Sequence, residues 1–142
     1  MNKVFFFILS LGVILSDRTM AQNEELLGKW ELNIDKSIAS FEGSSKTRYD
    51  SLSLEKKERL KTTMSGRTFH FQEAGKFSVD WKSGTQSKTS SGTWKMDAAS
   101  GTVSITIEGN VTDYTYKFLD GSLMLQNIRS HGLFNILCFS RK

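Results

Sequence analysis

The sequence predicts an all-β domain, namely an eight-stranded antiparallel up-and-down β-barrel with one α-helix between strands 1 and 2. From residue 67 onward, apolar and polar residues alternate with a period of two, which is typical of strands with one buried face. Gly, Asn, Asp and Ser separate these runs, and the chain contains no Pro. The connections are short enough for each strand to pair with its predecessor.

Closure of the sheet follows from the number of strands. A meander of eight strands leaves two exposed edges unless the first and last strands pair, so a barrel is favoured. Eight is also the number at which a barrel interior is just filled by side chains or holds one small ligand. The predicted strands are 27–34, 67–73, 76–82, 92–97, 102–108, 112–118, 122–127 and 133–140.

One segment between strands 1 and 2 has the pattern of a helix. Ser53 is a typical N-cap, Glu55 lies in the first turn, where the helix dipole favours an acid, and Gly66 is a stop signal, which predicts a helix over residues 54–65. We expect this helix to cover one open end of the barrel, with residues 37–51 as a mobile approach, either gating a cavity or only plugging the core. Its narrow apolar stripe consists of Leu54, Leu60 and Met64.

The first residues have the features of a secretory signal peptide. Lys3 supplies a positive charge, residues 5–15 form an apolar stretch, and Thr19-Met20-Ala21 provides the small residues that a signal peptidase requires. The apolar stretch is too short for a hydrocarbon core, which takes about 20 residues in a helix. We expect residues 1–21 to be a signal peptide and 22–142 to be one exported domain, periplasmic or secreted. A short anchor that stays attached is the alternative.

Charge and cysteine content restrict the partners. Removing the signal peptide takes two basic residues and one acidic residue from a net charge of +4, which leaves +3. The dense cluster at residues 55–61 alternates both signs and indicates a solvated helix face, whereas nucleic-acid binding requires a concentrated basic stripe. We therefore expect neither nucleic-acid binding nor an integral membrane protein.

Cys138 is the only cysteine, and we expect a buried free thiol, with cross-linking between two chains as the alternative.

Several short motifs resemble the lipocalin superfamily. Gly28-x-Trp30 opens the first strand and Arg141 ends the last one. The order of "LLGKW", a charged helix, "FHFQEAGKFSVDW", "GTWKMD" and "DGSLMLQ" is similar to that of small lipocalin-like proteins exported by bacteria, over nearly all of residues 26–142. The resemblance implies that Trp30 fills the closed end of the barrel, with Arg141 or Lys142 stacked on its ring. It also implies that Gly28 lets the backbone approach its neighbour.

No pattern in the sequence indicates catalysis. Alternation places His70 on the outer face, and His131 lies in a turn. No HExxH, CxxC or GxSxG motif is present, and alternation places Asp80, Asp97 and Asp113 outside the barrel. We expect a protein without enzymatic activity, and the sequence suggests no metal and no cofactor.

Aromatic residues give the best functional signal. Eight of them share the strand face that alternation places inside the barrel. In one interpretation they line a cavity for a small hydrophobic ligand, with the tyrosine hydroxyls as polar handles; in the other they only fill a barrel that has no disulfides. The candidate ligand-binding residues are Phe69, Phe71, Phe77, Trp81, Trp94, Tyr114, Tyr116 and Phe118.

These two interpretations lead to two functions. We expect an exported lipocalin-like protein that binds a small hydrophobic molecule. The alternative is a non-catalytic interaction module of the cell envelope with a filled core, whose loops or helix face contact an unknown protein partner. The basic residues of that helix face are Lys56, Lys57, Arg59 and Lys61.

Overall fold

Eight strands form a closed antiparallel barrel in the computed structural model, which describes residues 23–129 and 132–142. Each strand pairs with its neighbours in the sequence, and β8 pairs with β1. The predicted fold class is therefore confirmed, whereas the predicted signal peptide and His131 lie outside the described residues. The strands are β1 Gly28–Leu32, β2 Thr68–Phe71, β3 Lys76–Ser83, β4 Gln86–Asp97, β5 Thr102–Ile107, β6 Asn110–Leu119, β7 Ser122–Asn127 and β8 Ile136–Arg141.

Three helices, rather than one, lie between β1 and β2. They are α1 Ile34–Ala39, α2 Gly43–Asp50 and α3 Leu54–Met64. The predicted helix is present as α3, with the Lys56 N–H donating to the Ser53 Oγ at 3.4 Å. The expectation of a single helix is corrected by α1 and α2, which include most of residues 37–51. Ile34, expected in strand 1, begins α1 because the Asn33 side chain accepts a hydrogen bond from the Lys36 N–H and so caps a helix at this point.

The helix α1 covers the outer face of β8. The Ser37 hydroxyl is fully buried between them; it donates to the Asn33 carbonyl at 2.8 Å and accepts from the Cys138 N–H at 2.9 Å. Cys138 itself is a buried free cysteine, with its Sγ 3.4 Å from the Ser40 Oγ. Packing against the barrel and these side-chain hydrogen bonds therefore hold this short helix in place.

Helix α3 packs less closely than its sequence suggests. None of its residues is buried, and Leu54 is 77% exposed. Met64 is the residue of the predicted stripe that packs against the core, and Leu60 is half-buried. No helix within the described residues is long and apolar enough to span a membrane.

Two strands begin three or more residues away from their predicted starts. β4 begins at Gln86 because the polar residues before Gly92 pair with β3, with Lys82 opposite Ser87; backbone pairing there needs no hydrophobic face. β8 begins only at Ile136, and the preceding Phe134 ring packs against Phe41 at a centroid distance of 5.2 Å.

Gly92 marks a place where two strands approach closely. It lies opposite Phe77 on β3 and Ile107 on β5, and a Cβ at this position would overlap the Thr106 carbonyl oxygen. The sequence gives Gly92-x-Trp94 the same spacing as Gly28-x-Trp30, but this second motif lies within the barrel wall. The glycine is needed there for space, because its φ is not in the left-handed region.

We expect Gly92→Ala to lower the free energy of unfolding by about 1–3 kcal/mol, because the backbone must shift to admit the methyl group. Equilibrium urea denaturation would measure this loss. The matched control is Ser91→Ala on the exposed outer face of the same strand, which we expect to change stability by less than about 0.5 kcal/mol. Equal stability of the two variants would contradict the close approach.

Candidate functional site

The antiparallel meander gives the barrel two distinct ends. The start of β1, the end of β8 and the β2–β3, β4–β5 and β6–β7 connections lie at one end, which we call the closed end. The helices and the β3–β4, β5–β6 and β7–β8 connections follow the opposite ends of the strands, which we call the open end.

The closed end is built around Trp30. Its ring is 1% exposed, and its Nε1 donates to the Leu26 carbonyl at 2.8 Å. The Arg141 guanidinium lies over this ring, 4.3 Å from the centroid, and donates to the Leu27 and Glu25 carbonyls at 3.0 and 2.7 Å. The residues before β1 are therefore held across the base of the barrel by both a hydrophobic side chain and a cation.

Gly28 provides the space for this arrangement. Its φ is +119°, a conformation that residues with a side chain rarely adopt, and a Cβ would lie 3.1 Å from the Arg141 Nη1. Gly28, Trp30 and Arg141 therefore form one structural unit at the closed end.

Aromatic rings fill the barrel interior between the two ends. Phe71 is fully buried and contacts Phe69, Phe77 and Trp94 at centroid distances of 6.4, 5.1 and 5.4 Å. The Trp94 Nε1 donates to the Gln72 carbonyl at 2.9 Å, which satisfies its polar atom. Phe71 lines none of the three clefts described below.

A cleft of about 290 Å³ remains at the open end, and we call it the mouth cleft. Its floor comes from inward-facing residues of β2, β3, β5 and β6. The floor residues are Phe69, Phe77, Val79, Ile105, Ile107 and Tyr114. The polar lining residues are Arg67, Glu108, Asn110 and Thr112.

Arg67 is the basic residue of the mouth cleft. Its carbonyl accepts a hydrogen bond from the Leu32 N–H at 2.8 Å, which fixes its backbone beside β1, directly before β2. Its Nε is buried and has no hydrogen-bond partner, and no carboxylate of the described residues forms an ion pair with it. Burial lowers the pKa of this guanidinium, while the nearby Tyr114 raises it.

Tyr114 supplies a hydroxyl to the same cleft. Burial raises the pKa of this phenol, and the positive charge of Arg67 partly offsets the effect. A phenol whose pKa is raised stays protonated at neutral pH and can donate a hydrogen bond. The cleft therefore combines an apolar floor with a cation and a hydroxyl.

The structure distributes the eight candidate ligand-binding residues over different places. Phe69, Phe77 and Tyr114 line the mouth cleft, Phe71 fills the interior, and Trp94 packs on Phe71 and also lines the cleft of the closed end. The remaining three lie elsewhere. Trp81 lines a neighbouring cleft, and Phe118 packs on Trp30 at 6.1 Å and on Tyr116 at 5.9 Å at the closed end.

Two further clefts differ from the mouth cleft in their lining. One of about 540 Å³ lies between the last turn of α3 and the end of β3; it also includes Arg67 and Trp81. The other, of about 420 Å³, lies at the closed end and is lined largely by residues 23–24 and the β2–β3 connection. Asn23 Oδ1 there is also buried without a partner, but an amide is neutral and costs less to bury than a guanidinium. Of these three clefts, the mouth cleft is the one that combines an apolar floor with a cation whose Nε is buried and unpaired, and we take it as the candidate site.

The acidic side chains considered in the sequence and His70 lie on the outside of the wall. The Asp80 and Asp113 carboxylates accept hydrogen bonds from Thr89 and Ser104, each at 2.6 Å, on neighbouring strands. His70 is half-buried and lies opposite Lys29 and Ser78 on the outer face. Within residues 23–129 and 132–142, no three His, Cys, Asp or Glu side chains are grouped to hold a metal.

The residue that sequence reasoning missed is Arg67. The alternation that placed Phe69 and Phe71 inside also applies to Arg67, which has the same parity. In the sequence, Arg67 lies between Gly66, which ends the predicted helix, and the predicted strand 2, of which it is the first residue. A residue at such a boundary gave no sign that its side chain has a functional role.

Comparison with known proteins supports the fold. No protein-family model matches the chain, and no curated protein matches it. Among solved structures, the chain is similar to a DUF4847 family protein from Bacteroides vulgatus ATCC 8482, with a TM-score of 0.56 and 18% sequence identity. The match covers 84% of this chain and 96% of that one.

Proposed function

We propose that this protein is an exported, non-enzymatic, lipocalin-like barrel that binds a small, mainly apolar molecule in the mouth cleft. The observation that carries the proposal is the difference between the two ends of the barrel. Trp30 and Arg141 close one end, whose cleft is lined largely by residues 23–24 and the β2–β3 connection, whereas the cleft of the open end has a floor of inward-facing strand residues. The sequence of residues 1–21 supports export.

The size of the cleft restricts the ligand. About 290 Å³ lies just under the range of about 300–1,000 Å³ that is usual for small-molecule sites. At about 30 Å³ per water molecule, a ligand would displace on the order of ten waters. A compact molecule, or one end of a longer one, fits these dimensions.

Non-catalytic binding also agrees with the polar groups of the cleft. A hydrolase or acid–base enzyme needs a base that is itself oriented by a partner. The described lining of the mouth cleft contains one acid, Glu108, which is exposed, and no histidine or cysteine. Its apolar floor, the cation of Arg67 and the hydroxyl of Tyr114 are groups suited to binding.

The alternative of a protein-interaction surface on α3 has less support. Three of its basic side chains already make contacts within the chain. Arg59 pairs with Glu55 at 3.2 Å, Lys61 pairs with Asp35 at 3.2 Å, and Lys57 lies over the Tyr49 ring at 5.2 Å. Nothing in this helix singles out a partner.

The proposal is tested by blocking the cleft. Thr112 lines it from β6, so Thr112→Phe places a ring in the space. We expect this variant to weaken binding of N-phenyl-1-naphthylamine, a neutral dye that becomes fluorescent in apolar surroundings, by at least about tenfold.

The matched control is Thr115→Phe, the same substitution on the exposed outer face of the same strand. We expect this variant to bind the dye within about twofold of the unchanged protein. Circular dichroism would verify that both variants are folded. Failure of the unchanged protein to bind the dye, or equal binding by both variants, would contradict the proposal.

A further inference from the structure

We infer that the ligand of the mouth cleft is an amphipathic anion, with an apolar body on the cleft floor and a carboxylate paired with Arg67. This inference rests on the proposed function and adds the chemical class of the ligand. It depends on a cation that the protein buries in part without giving it a partner.

Arg67 is a partly buried cation at the mouth cleft. Its Nε is buried and lacks a hydrogen-bond partner, although buried polar atoms are nearly always paired in folded proteins. A guanidinium stays charged at neutral pH even when its environment is unfavourable. The Nε is therefore held where it loses hydration without a hydrogen bond from the described residues, and the nearby Tyr114 only partly offsets the effect of burial on the pKa of the guanidinium.

A ligand can reach Arg67 through the mouth cleft. Arg67 lines the mouth cleft together with the Tyr114 hydroxyl, above a floor that includes Phe69, Ile105 and Ile107. A ligand that enters the cleft with an apolar body therefore brings its polar end to these two groups. A planar guanidinium and a phenol hydroxyl are both donors suited to the two oxygens of a carboxylate.

The charges that line the cleft favour a carboxylate over a phosphate as the anionic group of the ligand. Arg67 is the basic residue of the described cleft lining, and Glu108 is the acidic one. A phosphate monoester carries about −1.5 to −2 charges at neutral pH, so its second charge would lie unpaired near Glu108. One cation beside one hydroxyl matches a single negative charge.

The Arg67 side chain also lines the cleft between α3 and β3. That cleft has one large apolar residue, Trp81, beside Lys82 and polar residues, whereas the floor of the mouth cleft has six apolar or aromatic residues. An amphipathic ligand therefore places its apolar part in the mouth cleft. The Thr112→Phe variant, which blocks this cleft alone, tests the placement for the anion as well.

The experiment measures displacement of N-phenyl-1-naphthylamine by decanoate, 1-decanol and decyl phosphate. In Arg67→Met, we expect decanoate to bind at least about tenfold more weakly, because a charge-assisted hydrogen bond is lost. We expect 1-decanol to be unchanged within about twofold, and Arg67→Lys to restore part of the loss for decanoate. In the unchanged protein, decanoate should bind more tightly than decyl phosphate.

A stability measurement shows whether Arg67 serves structure instead. Removing an unpaired, partly buried charge should leave the midpoint of thermal unfolding of Arg67→Met unchanged or raise it. Addition of decanoate should raise the midpoint of the unchanged protein more than that of the variant. A lower midpoint for Arg67→Met without ligand would contradict the inference.

The possible failures are distinguishable. If the dye itself does not bind the unchanged protein, the proposed function is wrong. If the dye and 1-decanol bind, but decanoate binds the unchanged protein and Arg67→Met with equal affinity, only the anion inference is wrong. Tighter binding of decyl phosphate that depends on Arg67 would replace the carboxylate with a phosphate.

Discussion

Replacing Trp30 with alanine is expected to lower the free energy of unfolding by about 3–5 kcal/mol. The ring is 1% exposed, so its removal leaves a cavity at the base of the barrel. The Leu26 carbonyl loses the indole donor at 2.8 Å, and Arg141 loses the ring beneath its guanidinium at 4.3 Å. A cation over an aromatic face contributes about 0.5–2 kcal/mol of this sum. Equilibrium urea denaturation measures the loss.

Trp81→Ala is the matched control for this prediction. Trp81 is half-buried beside the α3 cleft, so we expect a clearly smaller loss than at Trp30. Trp30→Ala with a loss below about 1 kcal/mol would contradict the interpretation that this ring closes the barrel.

Replacing Phe71 with alanine is the second change with a large expected effect, again about 3–5 kcal/mol. The ring is fully buried and lies within 5.1–6.4 Å of three aromatic neighbours, measured between centroids. We expect the midpoint of thermal unfolding to fall by about 10–20 °C, as followed by circular dichroism.

The same variant also shows whether Phe71 only fills the barrel core or takes part in ligand binding. Phe71 does not line the mouth cleft, so the folded Phe71→Ala protein should bind the apolar dye like the unchanged protein. The control Phe118→Ala removes a half-buried ring at the closed end and should cost less stability. Loss of dye binding in Phe71→Ala, measured well below its unfolding midpoint, would contradict the placement of the site at the open end.

Much of the fold could be predicted because a strand has a simple period. Alternation placed the rings of Phe69, Phe77 and Trp94 on the core side, and the Asp120-Gly121 hairpin has the positive φ values that its turn type requires. The helices were harder to predict. α1 depends on a cap by Asn33 and on burial of Ser37 against β8, and neither contact leaves a periodic pattern in the sequence.

The candidate site could be predicted only in part. Whether a residue has an odd or even position in its strand shows which face of the sheet its side chain takes, but not how far along the barrel axis it lies. Phe71 in the filled interior and Phe69 at the cleft therefore looked alike in the sequence. The role of Arg67 depends on a missing partner, and a missing contact is visible only once the neighbouring strands are in place.

The central claim is that a ligand binds at the open end, beside Arg67. A titration of the ¹⁵N-labelled protein with decanoate, followed by ¹H–¹⁵N NMR, tests it most directly because the Arg67 Nε–H reports its own change of partner. We expect the largest shifts at this Nε–H and at the backbone amides of Ile107, Thr112 and Tyr114. Shifts confined to the closed end, around Gly75 and Trp94, or no shifts at all would contradict the claim.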